Sequence, residues 1–354
     1  MSLLRSLLSL VVVVCVAHLS AADWPCPDVG AISPCICIAS ASLEITMDCS
    51  DVDSSTRLTE IFQTPFAFND FKRLIIDPLT PVSTLYDLPA GVFGPVSFEE
   101  IDVMNTLIET VEEEAIVNSH NTLVRLNMRG NEINTFPFET LDLFVELREL
   151  DLSDNKFSGV MPDIVTEALT TLDLSGNTGF TLTQTVFIGS PYLQVLRLNN
   201  MALGDTTPPN VFFTLNNLKT LYLQNNGIPG TLIEDFINTQ LQPQRSRLTT
   251  VYLDRNSLSQ IHPLSVTGLP EEGTISFMSN QIEYLTQENW EGLVSQLTTA
   301  GAIDMRDNPL VCGCDVYWLL KDSSAMAAFN QYTTCVTGNL VVDLPVQWFI
   351  EHCP

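Results

Sequence analysis

The chain has 354 residues, of which 45% are hydrophobic, enough to bury a sizeable core. Fifteen Lys and Arg stand against 42 Asp and Glu, for a formal net charge of −27. So acidic a surface repels nucleic acid and anionic lipid; it suits a neutral or cationic partner, or reflects no more than the ordinary acidity of secreted proteins.

The first element is MSLLRSLLSLVVVVCVAHLSAADW. Arg5 precedes an apolar run from Leu7 to Val16, and small residues Ser20, Ala21 and Ala22 follow. This pattern predicts a secretory signal peptide over residues 1–22, cut after Ala22, with a run too short for a membrane span. Removing it leaves 14 basic against 42 acidic residues, a charge of −28. No later segment is apolar enough to cross a membrane, and no Asn-x-Ser/Thr acceptor occurs. The expected product is a soluble extracellular protein.

One of the nine cysteines, Cys15, lies in that leader. The other eight form two groups: Cys26, Cys35, Cys37, Cys49, and Cys312, Cys314, Cys335, Cys353. An even count in a secreted chain implies disulfides, although the two C-x-C pairs could also be read as zinc ligands. Four cysteines allow three pairings in each group, and spacing does not choose between them.

Between the groups the chain repeats. L-x-x-L-x-L-x-x-N-x-L fits LVRLNMRGNEI from Leu123, LRELDLSDNKF from Leu147, LTTLDLSGNTGF from Leu169, LKTLYLQNNGI from Leu218 and LTTVYLDRNSL from Leu248. Weaker copies start at Phe71, Phe98, Leu193, Glu272 and Ala300. Intervals of 22 to 30 residues are within or close to the range of a leucine-rich repeat. The pattern predicts an α/β leucine-rich repeat solenoid, a horseshoe with a parallel concave sheet of about ten strands and an irregular or short-helical convex side. The expected divisions are a cap over 23–70, repeats over 71–310 and a second cap over 311–354. Asn131, Asn155, Asn177, Asn226, Asn256, Asn280 and Asn308 should form a buried ladder, because an amide both donates to and accepts from the backbone of a turn. Thr106 and Met201 stand in that slot in two copies, and methionine should leave the ladder loose. DLSDNKFSG also resembles a calcium loop, but the sixth and twelfth positions are Lys156 and Pro162 rather than Gly and Glu.

The cysteine groups sit where the open ends of a solenoid need covering. C-x8-C-x-C-x11-C and NPLVCGCDVYWLL with two later cysteines resemble the caps of extracellular leucine-rich repeat proteins. That resemblance implies Cys26–Cys37, Cys35–Cys49, Cys312–Cys335 and Cys314–Cys353, with Trp318 and Leu319 covering the last repeat. DWPCPDVGAISPCICIASASLEITMDCSDV, with the chain length and the two-cap layout, is similar to secreted arthropod leucine-rich repeat proteins that accompany a luciferase as its non-catalytic subunit. The resemblance implies another secreted protein as partner, a small catalytic subunit that does the light chemistry, and brings no catalytic residue.

Alternation in a strand points the leucines inward and the residues between them outward. At the fifth motif position the concave face should carry Asp102, Asn127, Asp151, Asp173, Arg197, Tyr222 and Tyr252. The three aspartates should form an acidic strip, offset by Arg125, Arg129 and Arg148, with the tyrosines side by side beyond Arg197. These seven are the candidate binding residues. The mature histidines, His120, His262 and His352, are scattered, and no G-x-S-x-G, H-E-x-x-H or phosphate loop occurs. A non-catalytic binding or scaffold protein is expected, with no cofactor and no metal; a secreted innate-immune recognition or adhesion protein is the alternative to the luciferase subunit.

Overall fold

The computed structural model describes residues 25–79, 84–239 and 246–353. The leader expected over 1–22 lies outside the described residues, as does part of the insertion between Leu232 and Arg247.

One twelve-stranded sheet runs the length of the molecule. Its strands, in chain order, are β1 (Ile36–Ala39), β2 (Ile45–Asp48), β3 (Asp70–Ile76), β4 (Ser97–Val103), β5 (Arg125–Asn127) and β6 (Glu149–Asp151). They continue as β7 (Thr171–Asp173), β8 (Val195–Arg197), β9 (Thr220–Tyr222), β10 (Thr250–Tyr252), β11 (Thr274–Ser276) and β12 (Ile303–Asp304). The ten from β3 onward come one from each repeat and pair parallel with their chain neighbours. The two further strands form an antiparallel hairpin in the N-terminal cysteine group, whose second strand joins β3 in parallel. The sheet thus exceeds the expected ten strands because the cap extends it.

From β5 onward each strand has at most three residues, because the apolar residues before, within and after it must all turn into one core. Leu147, Leu150 and Leu152 are fully buried, and buried counterparts recur in the copies from Phe71 to Leu248; in the last two copies the first position is the exposed Glu272 or Ala300. Phenylalanines fill the space behind them: Phe62, Phe93 and Phe98 meet edge to face, and Phe157 stacks on Phe180 at 5.2 Å. The convex side carries short strand pairs, such as Ser158–Val160 with Gly179–Thr181, and few helices. The longer helices are α2 (Ser55–Phe62), after the four-residue α1 (Val29–Ile32), and α3 (Gln287–Val294). The C-terminal cap adds α4 (Tyr317–Lys321), α5 (Ser323–Ala328) and α6 (Val346–His352).

The asparagines hold successive coils together. Asn155 donates to Leu152 O in its own repeat and to Met128 O in the one before, each at 2.9 Å. Its side-chain oxygen accepts from Ile133 N–H at 3.0 Å. Asn131, Asn177, Asn226, Asn256, Asn280 and Asn308 repeat this three-way contact. The residue before each slot is left-handed, including Asp154 and Arg255, where a side chain raises the cost that glycine avoids at Gly130 and Gly176. At Gly176 a Cβ would also come within 2.4 Å of the Asp154 carboxylate.

Met201 does not open the gap expected of it. Its side chain is buried, and the carbonyls that an asparagine would serve each keep one donor, Leu174 O from Asn177 and Leu198 O from Asn226. The ladder shares each carbonyl between two amides, so one missing rung leaves none bare. The same sharing sets the expectation for Asn155→Ala: Met128 O and Leu152 O retain Asn131 and Asn177, while the buried Ile133 N–H loses its acceptor. A loss of about 1–3 kcal/mol is expected, the cost of one unsatisfied buried donor. Denaturant midpoints measure it, and a change within the ~0.5 kcal/mol surface scatter would mean that water reaches the rung.

The caps are cross-linked. Cys26 is bonded to Cys37, Cys35 to Cys49, Cys312 to Cys335 and Cys314 to Cys353. Leu319 is buried, and the Trp318 indole donates to Leu285 O at 2.7 Å, in the repeat before the last.

Candidate functional site

Parallel registration turns the fifth motif position into a continuous row. Asp102, Asn127, Asp151, Asp173, Arg197, Tyr222, Tyr252, Ser276 and Asp304 are direct cross-strand neighbours from β4 to β12. The seven candidate residues therefore do come together, but they do not act alike.

Asp102 is withdrawn from the acidic strip. Its side chain is 1% exposed and lies between two arginines, with Arg125 Nη1 at 2.7 Å and Arg73 Nη2 at 2.5 Å. Burial disfavours the Arg125 charge, but bonds to Glu100 and Asp102 outweigh it and raise its pKa. The other two arginines expected to offset the strip pair elsewhere, Arg129 with Asp154 and Arg148 with Glu146. Their motif positions, seventh and second, lie off the row.

Asp151 and Asp173 are adjacent. The Asp151 carboxylate accepts from Ser153 N–H at 2.9 Å and from Ser153 Oγ at 2.6 Å, so the stretch that resembles a calcium loop caps its own turn. A hollow of about 160 Å³ lies over Asn127, Asp151, Asp173 and Arg197. Burial pushes the Asp173 carboxyl above the ordinary range, and the Asp151 charge adds to this; bonds from Ser175 and the charge of Arg197 oppose it. A carboxyl whose folded pKa is raised binds its proton more tightly in the folded state. Stability therefore falls as pH rises from the ordinary carboxylate value through the raised one. Asp173→Asn keeps an acceptor for Ser175 N–H and removes the charge. It is expected to raise the denaturant midpoint at neutral pH, with the gain shrinking as pH falls through that window. A lower midpoint at pH 7 would contradict it.

The next three residues form a stack. Arg197 sits over the Tyr222 ring at 5.0 Å, and Tyr222 stacks on Tyr252 with centroids 5.0 Å apart and planes 17° from parallel. Arg197 also lies 3.9 Å from Asp173. The third motif position faces outward too, a row that a reading confined to the fifth position misses. Towards the N-terminus it carries Arg73, Glu100, Arg125 and Glu149; beside the stack it carries Val195, Thr220, Thr250 and Thr274. At these two positions the concave face thus has a charged half, in which Arg73, Glu100, Asp102 and Arg125 pair with one another, and a half with little charge around two tyrosines.

Elsewhere the chemistry is sparse. The three histidines make local contacts: His120 with Val117 O, His262 with Leu264 N–H and His352 with Trp348 O. Among the described residues, no group of three or more His, Cys, Asp or Glu is placed to hold a metal ion, and no helix is long and apolar enough to cross a membrane. A larger hollow of about 660 Å³ between α3 and α5 is lined by Val294, Leu297, Trp318 and the alanines of α5, away from the concave row.

These features define the class: the chain is a leucine-rich repeat solenoid closed at both ends by disulfide-bonded caps. Leucine-rich repeat family models match residues 146–167 and 167–228. The chain is distantly similar to the non-catalytic subunit of Oplophorus-luciferin 2-monooxygenase from Oplophorus gracilirostris, with 26% identity over 93% of this chain and 88% of that protein. It is 27% identical over 48% of its length to a probable glycoprotein hormone G-protein coupled receptor of Anthopleura elegantissima, of which the match spans 17%. Among solved structures, one resembles it with a TM-score of 0.66 at 18% identity, covering 85% of this chain and 88% of that one: a chain from the octameric complex of Latrophilin 3, Unc5D and FLRT2 (LRR).

Proposed function

We propose that the chain is a secreted, non-catalytic recognition protein of adhesion or innate-immune type, which binds another extracellular protein through its concave face. The observation that carries this reading is the Arg197–Tyr222–Tyr252 stack in a low-charge patch of an otherwise acidic molecule. Tyrosine and arginine are enriched at binding hot spots, and stiff aromatic side chains lose little entropy on docking. The leader-like first 22 residues and the paired cysteines support secretion. The fold likeness to a chain of an octameric complex of Latrophilin 3, Unc5D and FLRT2 supports a protein as ligand.

A second reading, partner subunit of a luciferase-type complex, rests on the similarity to the Oplophorus protein along nearly the whole chain. One experiment addresses both. The native protein is purified with what co-elutes, and the isolated partner is titrated onto wild type and onto Tyr222→Ala with Tyr252→Ala. The double variant should weaken binding by about 2–4 kcal/mol, as truncation of hot spots does, with an unchanged circular dichroism spectrum. Unchanged affinity would move the interface off the concave face. A partner that oxidises Oplophorus luciferin would select the second reading, and an inert cell-surface or microbial protein the first.

A further inference from the structure

The two ends of the sheet are finished differently. At β12, Ile303 bridges to Phe329 of the C-terminal cap, which covers that edge. At the other end β1 is the outermost strand, and no described strand or bridge pairs with its outer side. Ser40 N–H donates to Glu44 O at 3.0 Å, which sets the alternation of the hairpin: residues 36, 38 and 40 bond inward to β2. The backbone N–H and C=O groups of Cys37 and Ala39 therefore point outward.

Stable proteins blunt such edges with charge, proline or a covering element. β1 reads Ile36-Cys37-Ile38-Ala39 and has none of these. Ile36 is 58% and Ile38 55% exposed, side by side at the N-terminal end of the concave face. The bridges Cys26–Cys37 and Cys35–Cys49 hold the strand in place, so little order would be lost on pairing.

Charge decides what fits. From Pro25 to Thr56 there are five acids, Asp28, Glu44, Asp48, Asp51 and Asp53, and no lysine or arginine. The nearby bases are engaged: Arg57 with Ala31 O, Ser33 O and Glu60, Lys72 with Glu99, and Arg73 with Asp102. A second copy would bring the same acids to the same edge. We propose that β1 is a strand-addition site for an extended segment of a partner protein, with apolar side chains beside Ile36 and Ile38 and lysines or arginines flanking them. Main-chain pairing supplies affinity in this mode and the alternate side chains supply choice.

The site is separable from the tyrosine stack and is tested without the natural partner. The probe is a labelled octapeptide, acetyl-Lys-Arg-Val-Thr-Val-Thr-Arg-Lys-amide, titrated onto the full mature protein by fluorescence anisotropy, with hydrogen exchange read at β1. Saturable binding is expected, with new protection of the Cys37 and Ala39 amides. Acidic flanks, backbone N-methylation of the peptide, or Ala39→Pro should each weaken it tenfold or more. Ile38→Lys, which leaves every backbone group in place, guards against a cap disturbed by proline and should weaken it likewise. The variant lacking Tyr222 and Tyr252 should bind as wild type does. Equal binding by the N-methylated peptide, or by both β1 variants with all four disulfides intact, would overturn the proposal. So would a concentration-dependent dimer of the protein alone that Ile38→Lys abolishes, since a second copy would then own the edge.

Discussion

Replacing Asp102 by alanine should destabilise the solenoid by about 3 kcal/mol, the low end for breaking a buried ion pair. The Asp102 carboxylate is 1% exposed and holds Arg73 and Arg125 from the two flanking strands. Without it, two guanidinium groups face each other across β4 with only Glu100 between them. The low end applies because Arg73 and Arg125 remain 38% and 28% exposed and can recover water. Asp102→Asn keeps an acceptor and should cost less. The contrast with Arg129→Ala, which breaks an exposed pair with Asp154, separates burial from charge: that change should fall near 0–1 kcal/mol and vanish in high salt. Denaturant midpoints at low and high salt decide it. A loss below about 1 kcal/mol for Asp102→Ala would mean that the network is solvated and that Asp102 is free to serve a partner.

Opening the C-terminal cap should cost comparably or more. Its bridges, Cys312–Cys335 and Cys314–Cys353, close segments with sequence separations of 23 and 39. Each is expected to contribute about 2–4 kcal/mol through the unfolded state. Cys314→Ser with Cys353→Ser frees α6 and loosens the cover over Leu319, Phe329 and the end of β12. Unfolding is expected to begin there, because each repeat is stabilised by its neighbours and the last one has a neighbour on one side only. Hydrogen exchange should show β11 and β12 losing protection before β6 and β7. Uniform loss along the sheet would mean that the solenoid unfolds as one unit. Peptide mapping of the unreduced protein supplies the companion check, since any bridge between the two cysteine groups would be incompatible with separate caps.

The repeat itself was legible because it is a local signal. Leu147, Leu150, Leu152 and Asn155 stand at offsets that make sense only if each copy turns one apolar edge inward and one amide into a shared turn, and copies 22 to 30 residues apart must then stack. Strand order, parallel registration and the neighbours Tyr222 and Tyr252 followed from that stacking. Three matters lay beyond it. Asp102 reads as one more outward aspartate, yet Arg73 and Arg125 reach it from strands on both sides and bury it. Met201 reads as a broken rung, yet each carbonyl keeps a donor, Leu174 O from Asn177 of its own coil and Leu198 O from Asn226 of the next. Ile36 and Ile38 read as part of a cysteine-rich cap, yet their hairpin extends the main sheet and becomes its open edge. Each depends on which side chain or strand lies across from which. The sequence by itself determined the repeat, its period and the residues that form its core, since hydrophobic burial acts through position within one copy. Only the tertiary structure decided which charges pair, which face is left uncharged and which edge is left open, since those outcomes belong to contacts between copies.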